Sequence, residues 1–197
     1  MMLDNEIKNN RKPNYDINSL IISRWSPRAM SGEELKDDEL MPLFEAARWA
    51  PSSYNGQLWR FIYAKRGTGN WEKFFNLLGD WNKMWCKNAA ALVVVISRKN
   101  FEHNNKPSRT HAFDAGAAWE NLALEGSSRK LIVHAMEGFD YDKAKNDLEI
   151  PEEFEVHAMI AIGKRGKKED LPDKMKDSEV PNGRRPLDEI VNEGKFR

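Results

Sequence analysis

The sequence predicts an α+β fold in which helices flank a central mixed sheet. Residues 59–65 and 156–162 alternate apolar side chains along the segment, and residues 89–97 form a continuous apolar run with four consecutive β-branched residues at its centre. The alternating runs are typical of half-buried strands, and the continuous run is typical of a buried central strand. A short apolar segment at 131–136 predicts a fourth strand.

Helical patterns separate these predicted strands. Residues 37–50 carry apolar side chains at helical spacing after two aspartates that suit an N-cap, and Pro51 ends the pattern. Residues 71–78 fit a short helix, 82–88 a loop or helical turn, and 111–124 a buried helix rich in Ala, Gly and Leu. Because helices and strands alternate without a regular βαβ rhythm, the pattern favours α+β over a doubly wound fold.

The domain organisation expected from the chain is simple. A length of 197 residues suits one domain with a full core. The polar residues 1–18 predict an N-terminal arm, and residues 19–197 a single domain. Residues 164–179 are strongly charged, so we expect them to be solvated.

Charge and cysteine content restrict the function classes. Lys and Arg together number 31, as do Asp and Glu, so no net field attracts nucleic acid or an anionic membrane, and neither is expected as a partner. The sequence contains no apolar run typical of a signal peptide or a membrane span. Cys86 is the only cysteine, which excludes an internal disulfide and favours a cytoplasmic location.

The usual catalytic signatures are absent from the sequence. It contains no Gly-rich phosphate loop, no HExxH and no Gly-x-Ser-x-Gly. The histidines, His103, His111, His134 and His157, have neither close spacing nor cysteine partners, so no metal site is expected. Cys86 stands beside an apolar strand, where a cysteine is more often inert than reactive.

Three loops remain as candidate binding sites. Arg24 and Arg28, with Ser26 between them, would suit a phosphate, because guanidinium groups offer forked donors to its oxygens. The loop 51–57 supplies hydroxyl and amide groups that suit the edge of a flat heteroaromatic ring. Arg184 and Arg185 could form a second phosphate clamp. Each loop also has an alternative without a ligand. Arg24 and Arg28 could be solvated arginines, and 51–57 could be an ordinary loop between core tryptophans Trp49 and Trp59. Arg184 and Arg185 could belong to a charged tail.

Several segments together resemble one known family. ARWAPSSYNGQLWRF at 47–61 is similar to the nitroreductase family's motif of helix end, Pro-Ser-Ser, Asn, Gln, Pro-Trp and aromatic. RWSPR, DWNKMWCKNAA, HAMEGFD and NGRRP follow that family's order and spacing, so the resemblance extends from about Ile21 to Val191. It implies the nitroreductase-like fold, an intertwined homodimer with FMN at the subunit interface, and a C-terminal segment, 164–197, that extends over the partner.

The resemblance also implies roles for particular residues. Arg24, Trp25, Ser26 and Arg28 match the segment that holds the FMN phosphate and ribityl chain. The loop residues that match the wall against the partner's flavin are Pro51, Ser52, Ser53, Asn55 and Gln57. Asn82 resembles the amide that reads the pyrimidine edge of the ring, and Glu137 and Gly138 match the turn whose backbone N–H approaches flavin N5. Arg184 with Arg185 matches the C-terminal phosphate clamp.

The activity implied is hydride transfer from NADH or NADPH, through flavin N5, to nitroaromatic, quinone or related conjugated acceptors. No catalytic side chain is needed, because the cofactor carries the chemistry, and a small-molecule acceptor is the implied partner. The alternatives are a dehalogenase-like or flavin-destructase-like enzyme and a non-catalytic flavin-binding protein. Trp81, Trp85 and Tyr54 either line the acceptor slot or lie in the core, and the sequence leaves both open.

The chain departs from the family's pattern in three places. Trp25 stands where many members have a second arginine, and Leu58 replaces the proline of Gln-Pro-Trp. Residues 128–130, Ser-Arg-Lys, replace the usual Gly-Leu-Gly before a strand. The first departure is expected to alter the wall beside the phosphate while both Arg24 and Arg28 remain.

Overall fold

The computed structural model describes residues 4–196 and has an α+β architecture built on one sheet. The strands are β1 (Trp59–Lys65), β2 (Ala91–Arg98), β3 (Leu131–Met136) and β4 (Phe154–Lys164). They lie side by side in the order β1-β2-β4-β3. The predicted strand positions agree with these bounds to within two residues at each end, and the α+β class is confirmed.

The sheet is antiparallel throughout the described residues, so the prediction of a mixed sheet was wrong in this respect. β1 pairs with β2, β2 with β4 and β3 with β4, each in antiparallel register. The prediction rested on helices that separate the strands along the chain. A helical connection lets the next strand enter the sheet in either direction, so the alternation of elements does not determine strand direction.

The core lies on both faces of the central strand β2, whose residues 91–97 are all buried. Leu92, Val94 and Ile96 belong to the cluster on one face, which also contains Trp85 and Met159. Their neighbours Ala91, Val93 and Val95 belong to the cluster on the opposite face. Burial on both sides explains why residues 91–96 of this strand are apolar at every position rather than at alternate positions.

Eight α-helices flank the sheet in the described residues. They are α1 (Asn5–Asn10), α2 (Ser19–Ser23), α3 (Asp37–Arg48), α4 (Trp71–Phe75), α5 (Asp80–Cys86), α6 (His111–Ser128), α7 (Tyr141–Asp147) and α8 (Asp173–Lys176). Helix α3 ends before Pro51, as predicted. The segment at 82–88 is largely helical, since α5 extends to Cys86. Among residues 4–196, no helix is both long enough and apolar enough to cross a bilayer.

Helix α6 packs closely against the sheet. A Cβ at Gly126 would overlap Val133 Cγ2 on β3 and would also contact Leu43 of α3. The absent side chain at this position therefore lets α6 approach the sheet between β3 and α3. This close packing is near the C-terminal end of α6, whereas the start of the helix contacts the loop at 51–57 through Asp114.

The two ends of the chain depart from the simple organisation expected. Within the arm predicted at 1–18, residues 4–18 include α1 with a buried Ile7, whereas residues 1–3 lie outside the described part. The prediction that 164–179 is solvated was wrong for Leu171, Met175 and Glu179, which are buried. Exposed charged residues outnumber these positions in the segment, and Glu179 is itself charged, so the sequence did not indicate their burial. The arm and domain bounds stay predictions, and Arg197 lies outside the described residues.

Candidate functional site

A cleft of about 420 Å³ opens where β3 ends and α5 begins. Its lining comes from three segments of the chain, and the residues are Arg28, Gly79, Asp80, Trp81, Asn82, His134, Ala135, Met136, Glu137 and Gly138. Four of the predicted cofactor residues, Arg28, Asn82, Glu137 and Gly138, are therefore brought together here. Trp81 also lines the cleft, whereas Trp85 is buried in the core behind it.

Hydrogen bonds fix the floor of this cleft. The Asn82 side-chain amide donates to the Gly138 carbonyl at 2.9 Å, and the Gly79 N–H donates to the same oxygen at 3.0 Å. The Trp85 indole N–H donates to Asn82 Oδ1 at 3.2 Å. The Asn82 side chain is thus held from both ends, so its orientation is set before any ligand arrives.

The turn at Glu137 and Gly138 presents backbone donors to the cleft. A Cβ on Gly138 would stand 2.8 Å from Asn82 Nδ2, so this close approach requires glycine. The N–H groups of Glu137 and Gly138 donate no hydrogen bond to another described residue. Both residues are exposed, and their N–H groups remain available to a ligand with acceptor atoms.

His134 lines the cleft beside Pro27 and Trp85. Its Nδ1–H donates to the Pro27 carbonyl at 3.0 Å, and its ring lies 4.6 Å from the Trp85 ring, centroid to centroid. Burial lowers the pKa of His134, and the nearby positive charge of Arg28 lowers it further. The position of His134 within HAMEGFD was the only sequence signal for this residue.

The Arg28 backbone is held by a buried carboxylate that the sequence did not single out. Glu179 Oε1 and Oε2 accept from the Arg28 N–H at 2.9 and 3.0 Å, and Oε1 also accepts from the Ala29 N–H at 2.9 Å. Arg165 forms an ion pair with the same carboxylate at 3.5 Å, and its guanidinium lies over the Trp25 ring. The segment that carries Arg28 is therefore fastened to the C-terminal part of the chain.

A second group of positive charges lies at Arg24. The Arg24 side chain is mostly buried, forms an ion pair with Glu120 at 3.3 Å and lies near Ser26 Oγ at 3.5 Å. Arg11 donates to the Arg24 carbonyl at 2.6 Å. Burial lowers the pKa of Arg11, and the positive charges of Arg184 and Arg24 lower it further. Arg184 is exposed and donates to the Gly183 carbonyl at 2.8 Å, and Arg185 is exposed as well. Arg11 gave no sequence signal, since it lies in an aperiodic polar segment.

The loop 51–57 does not line the cleft of its own chain. Ser53 N–H donates to the buried Asp114 carboxylate of α6 at 3.0 Å, and Gln57 N–H donates to Ser52 Oγ at 3.0 Å. Tyr54, Asn55 and Gln57 have positive φ angles of 52°, 53° and 47°, a conformation that costs about 1 kcal/mol or more for a residue other than glycine. The exposed Pro51 and Asn55 belong to this constrained surface loop.

The tryptophans that bracket this loop differ in burial. Trp59 is buried, whereas Trp49 is 72% exposed, so the alternative of a loop between two core tryptophans does not hold for Trp49. Tyr54 is also exposed and its ring meets Phe101 edge to face at 5.6 Å. Asp114 was another residue that the sequence did not single out, because one aspartate within an Ala-rich helix carries no distinguishing pattern.

Residues 4–196 contain neither a cluster of metal ligands nor an exposed thiol. No group of three or more His, Cys, Asp or Glu side chains in this range could hold a metal ion. Cys86 is buried, and burial raises the pKa of its thiol. Its sulfur lies 3.8 Å from Met136 Sδ, so it packs as a small apolar side chain.

Comparison with known proteins assigns the chain to a family. The model of the Nitroreductase family matches residues 21–83 and 68–164. Protein DrgA of Synechocystis sp. is 31% identical over 185 residues, which cover 80% of this chain and 85% of DrgA. This chain belongs to the nitroreductase family.

Solved structures agree with that assignment. A crystal structure described as an oxidoreductase containing FMN is 42% identical, with a TM-score of 0.92 over 96% of this chain and 97% of that one. A nitroreductase family protein from Clostridium difficile shares the fold, with a TM-score of 0.71 at 18% identity over 92% of this chain and 100% of that one. The nitroreductase-like fold expected from the sequence motifs is thereby confirmed.

Proposed function

We propose that this protein is an FMN-dependent oxidoreductase that uses NADH or NADPH to reduce nitroaromatic, quinone or related conjugated acceptors. The observation that carries the proposal is the cleft at the end of β3, where a fixed Asn82 amide, free N–H groups at Glu137 and Gly138, and Arg28 all meet. The FMN found in the relative that is 42% identical supports the same reading.

The residues of the cleft fit an isoalloxazine ring. A flavin ring is flat and carries acceptor atoms along its polar edge, so it needs donors held in fixed positions along a narrow surface. Asn82 is held by Trp85 and Gly138, and the turn at 137–138 offers donors that no described residue uses. Glycine at 138 keeps that turn close to Asn82, where any side chain would intrude.

The arginines fit the other end of FMN. Arg24 and Arg28 lie on one short segment, and Arg184 is close enough for its charge to act on Arg11 beside Arg24. Guanidinium groups bind phosphate through charge-assisted, forked hydrogen bonds. Trp25 and Ser26 complete this segment, and the exposed Arg185 extends the positive charge beyond Arg184.

We further propose that the protein acts as a homodimer whose loop 51–57 reaches the partner's cleft. The loop does not line the cleft of its own chain. Phe113 at the start of α6 is 80% exposed, and large apolar residues of the C-terminal segment, Leu187, Ile190, Val191 and Phe196, are exposed too. Apolar surface of this extent is typical of a subunit interface, which agrees with residues 164–197 extending over the partner.

Bound FMN would supply hydride chemistry at its N5 atom, and the donor, NADH or NADPH, and the acceptor would use the same site in turn. The chain's own residues hold and orient the ring. The N–H groups at 137 and 138 and the charge of Arg28 favour negative charge in the cleft, by the logic of an oxyanion hole. Trp81 on the rim offers an aromatic surface to a flat substrate. The expected kinetic pattern is ping-pong.

The cellular setting we propose is the cytoplasm, with small molecules as partners. Cys86 is the only cysteine, and equal numbers of acidic and basic residues give no general attraction for nucleic acid.

An anaerobic half-reaction experiment tests the function. The FMN-loaded protein is mixed with NADH or NADPH, flavin absorbance is followed, and an acceptor such as a quinone or nitroaromatic compound is then added. Bleaching by at least one donor and recovery on adding acceptor are expected. Bound flavin that neither donor bleaches would instead indicate a non-catalytic flavin-binding protein.

A pair of variants connects this activity to the cleft. Asn82→Ser removes one fixed amide, and the exposed Asn146→Ser serves as its matched control. Loss of one hydrogen bond to the ring costs about 0.5–1.5 kcal/mol, so Asn82→Ser should weaken FMN binding by roughly two- to tenfold. Equal affinity in both variants would argue against Asn82 as a flavin contact.

A further inference from the structure

The Arg11 side chain connects two segments that are distant in sequence. Its Nη1 donates to the Ile22 carbonyl at 2.8 Å and to the Arg24 carbonyl at 2.6 Å. On the other side, its Nε donates to the Asn182 carbonyl at 3.0 Å, and its Nη2 lies 3.4 Å from Asn182 Oδ1. One guanidinium therefore ties the segment before α3 to the C-terminal segment.

Each of these segments carries another arginine at the point of attachment. Arg24 is itself one of the residues that Arg11 contacts, and Arg184 follows Asn182 by two positions. Burial, followed by the charges of Arg184 and Arg24, lowers the pKa of Arg11 to about 10. Arg184 Nη1 also lies 3.3 Å from Asn182 Oδ1, the atom that Arg11 Nη2 approaches, so two guanidinium groups share one acceptor.

Little negative charge in the described residues compensates this group. Glu120 pairs with Arg24 at 3.3 Å, and no salt bridge of Arg11 or Arg184 is found within residues 4–196. Bringing like charges together without compensation raises the energy of the ligand-free protein. Binding of an anion between Arg24 and Arg184 would offset that cost.

We propose that Arg11 is a positioning residue that assembles Arg24 and Arg184 into one binding group for the phosphate of FMN. This inference rests on the proposed function. Arg11 does not itself contact the phosphate, because four of its donor positions are already directed at protein oxygens. It acts by holding the Arg24 backbone against Asn182, so that the guanidinium groups of Arg24 and Arg184 are presented to one ligand.

A comparison of FMN with riboflavin tests this role, because the two share the ring and ribityl chain and differ only in the phosphate. Dissociation constants for both are measured by flavin fluorescence for the wild type, Arg11→Gln and Arg11→Lys. Arg129→Gln is the matched control, since Arg129 forms only an exposed pair with Glu125. Circular dichroism establishes that each variant is folded.

The wild type should bind FMN more tightly than riboflavin. In Arg11→Gln, FMN affinity should fall by about tenfold or more, the order expected when charge-assisted contacts lose their geometry, while riboflavin affinity stays within about twofold. Arg11→Lys keeps the charge but cannot bridge both segments, so it should show a smaller loss confined to FMN. If Arg11→Gln does not fold, Arg11→Lys takes its place in the comparison with the wild type.

Three results would overturn the inference. Equal weakening of FMN and riboflavin would mean that Arg11 has a general structural role. Unchanged FMN affinity in both Arg11 variants would mean that the arginines are placed without it. A wild type that binds both flavins equally would mean that no phosphate group is assembled. A wild type that binds neither flavin would instead contradict the proposed function itself.

Discussion

Replacing Glu179 with alanine tests how the C-terminal part of the chain holds the segment of Arg28. The Glu179 side chain is 1% exposed, and its carboxylate accepts from the backbone N–H groups of Arg28 and Ala29. Truncation leaves both N–H groups without a partner inside the protein. It also removes the acceptor that pairs with Arg165 at 3.5 Å.

The magnitude follows from these contacts. A hydrogen bond to a charged group contributes about 1.5–3 kcal/mol, so two N–H donors account for roughly 3–6 kcal/mol. The Arg165 side chain is 36% exposed, so its ion pair adds little, on the order of 0–1 kcal/mol. The variant no longer buries a carboxylate, which offsets part of this cost. We therefore expect the free energy of unfolding to fall by about 3–5 kcal/mol, the usual cost of breaking a buried charged contact.

Equilibrium unfolding in urea, at one fixed chain concentration, measures this loss. Glu169→Ala is the matched control, because Glu169 is an exposed glutamate of the same charged segment, and it should change the free energy of unfolding by less than about 0.5 kcal/mol. Glu179→Gln keeps the shape and one acceptor, so it should fall between the two. A loss below about 1 kcal/mol in Glu179→Ala would refute the reasoning.

Three further predictions concern packing, the loop and pH. Gly126→Ala should destabilise the chain by about 1–3 kcal/mol in urea unfolding, because its Cβ overlaps β3, whereas Gly69→Ala, with nothing within 4 Å, should be close to neutral. Asp114→Ala should cost about 1–3 kcal/mol, because the Ser53 N–H loses its acceptor; an unchanged unfolding midpoint would contradict this. Burial lowers the pKa of His134 below 6.5, so the unfolded chain binds more protons below that pH and stability should fall as pH drops from 7.5 to 5.5. His134→Gln should reduce that pH dependence, and an equal slope in both proteins would contradict the assignment.

The strands and long helices could be predicted from the sequence because their cause is local. Residues 91–96 of β2 are apolar at every position since both faces of the strand are covered, and α3 ends before Pro51. Strand direction could not be predicted, because it depends on how helical connections return to the sheet. The burial of Met175 was likewise concealed by the exposed charges around it.

The candidate site could be predicted where it lies within motifs and not where it depends on distant contacts. Asn82, Glu137 and Gly138 belong to recognisable segments and meet in one cleft. Arg11 and Glu179 act on residues 13 and 151 positions away along the chain. Such contacts follow from the packing of the chain ends against the segment 24–28, and no periodicity or spacing indicates them.

The most direct test of the central claim is the stoichiometry of FMN binding. The purified protein is incubated with excess FMN and desalted, and its flavin absorbance is compared with its chain concentration. Retained flavin approaching one FMN per chain is expected, because each chain contributes one cleft and one set of arginines to the proposed dimer. A desalted protein without flavin absorbance would contradict the account.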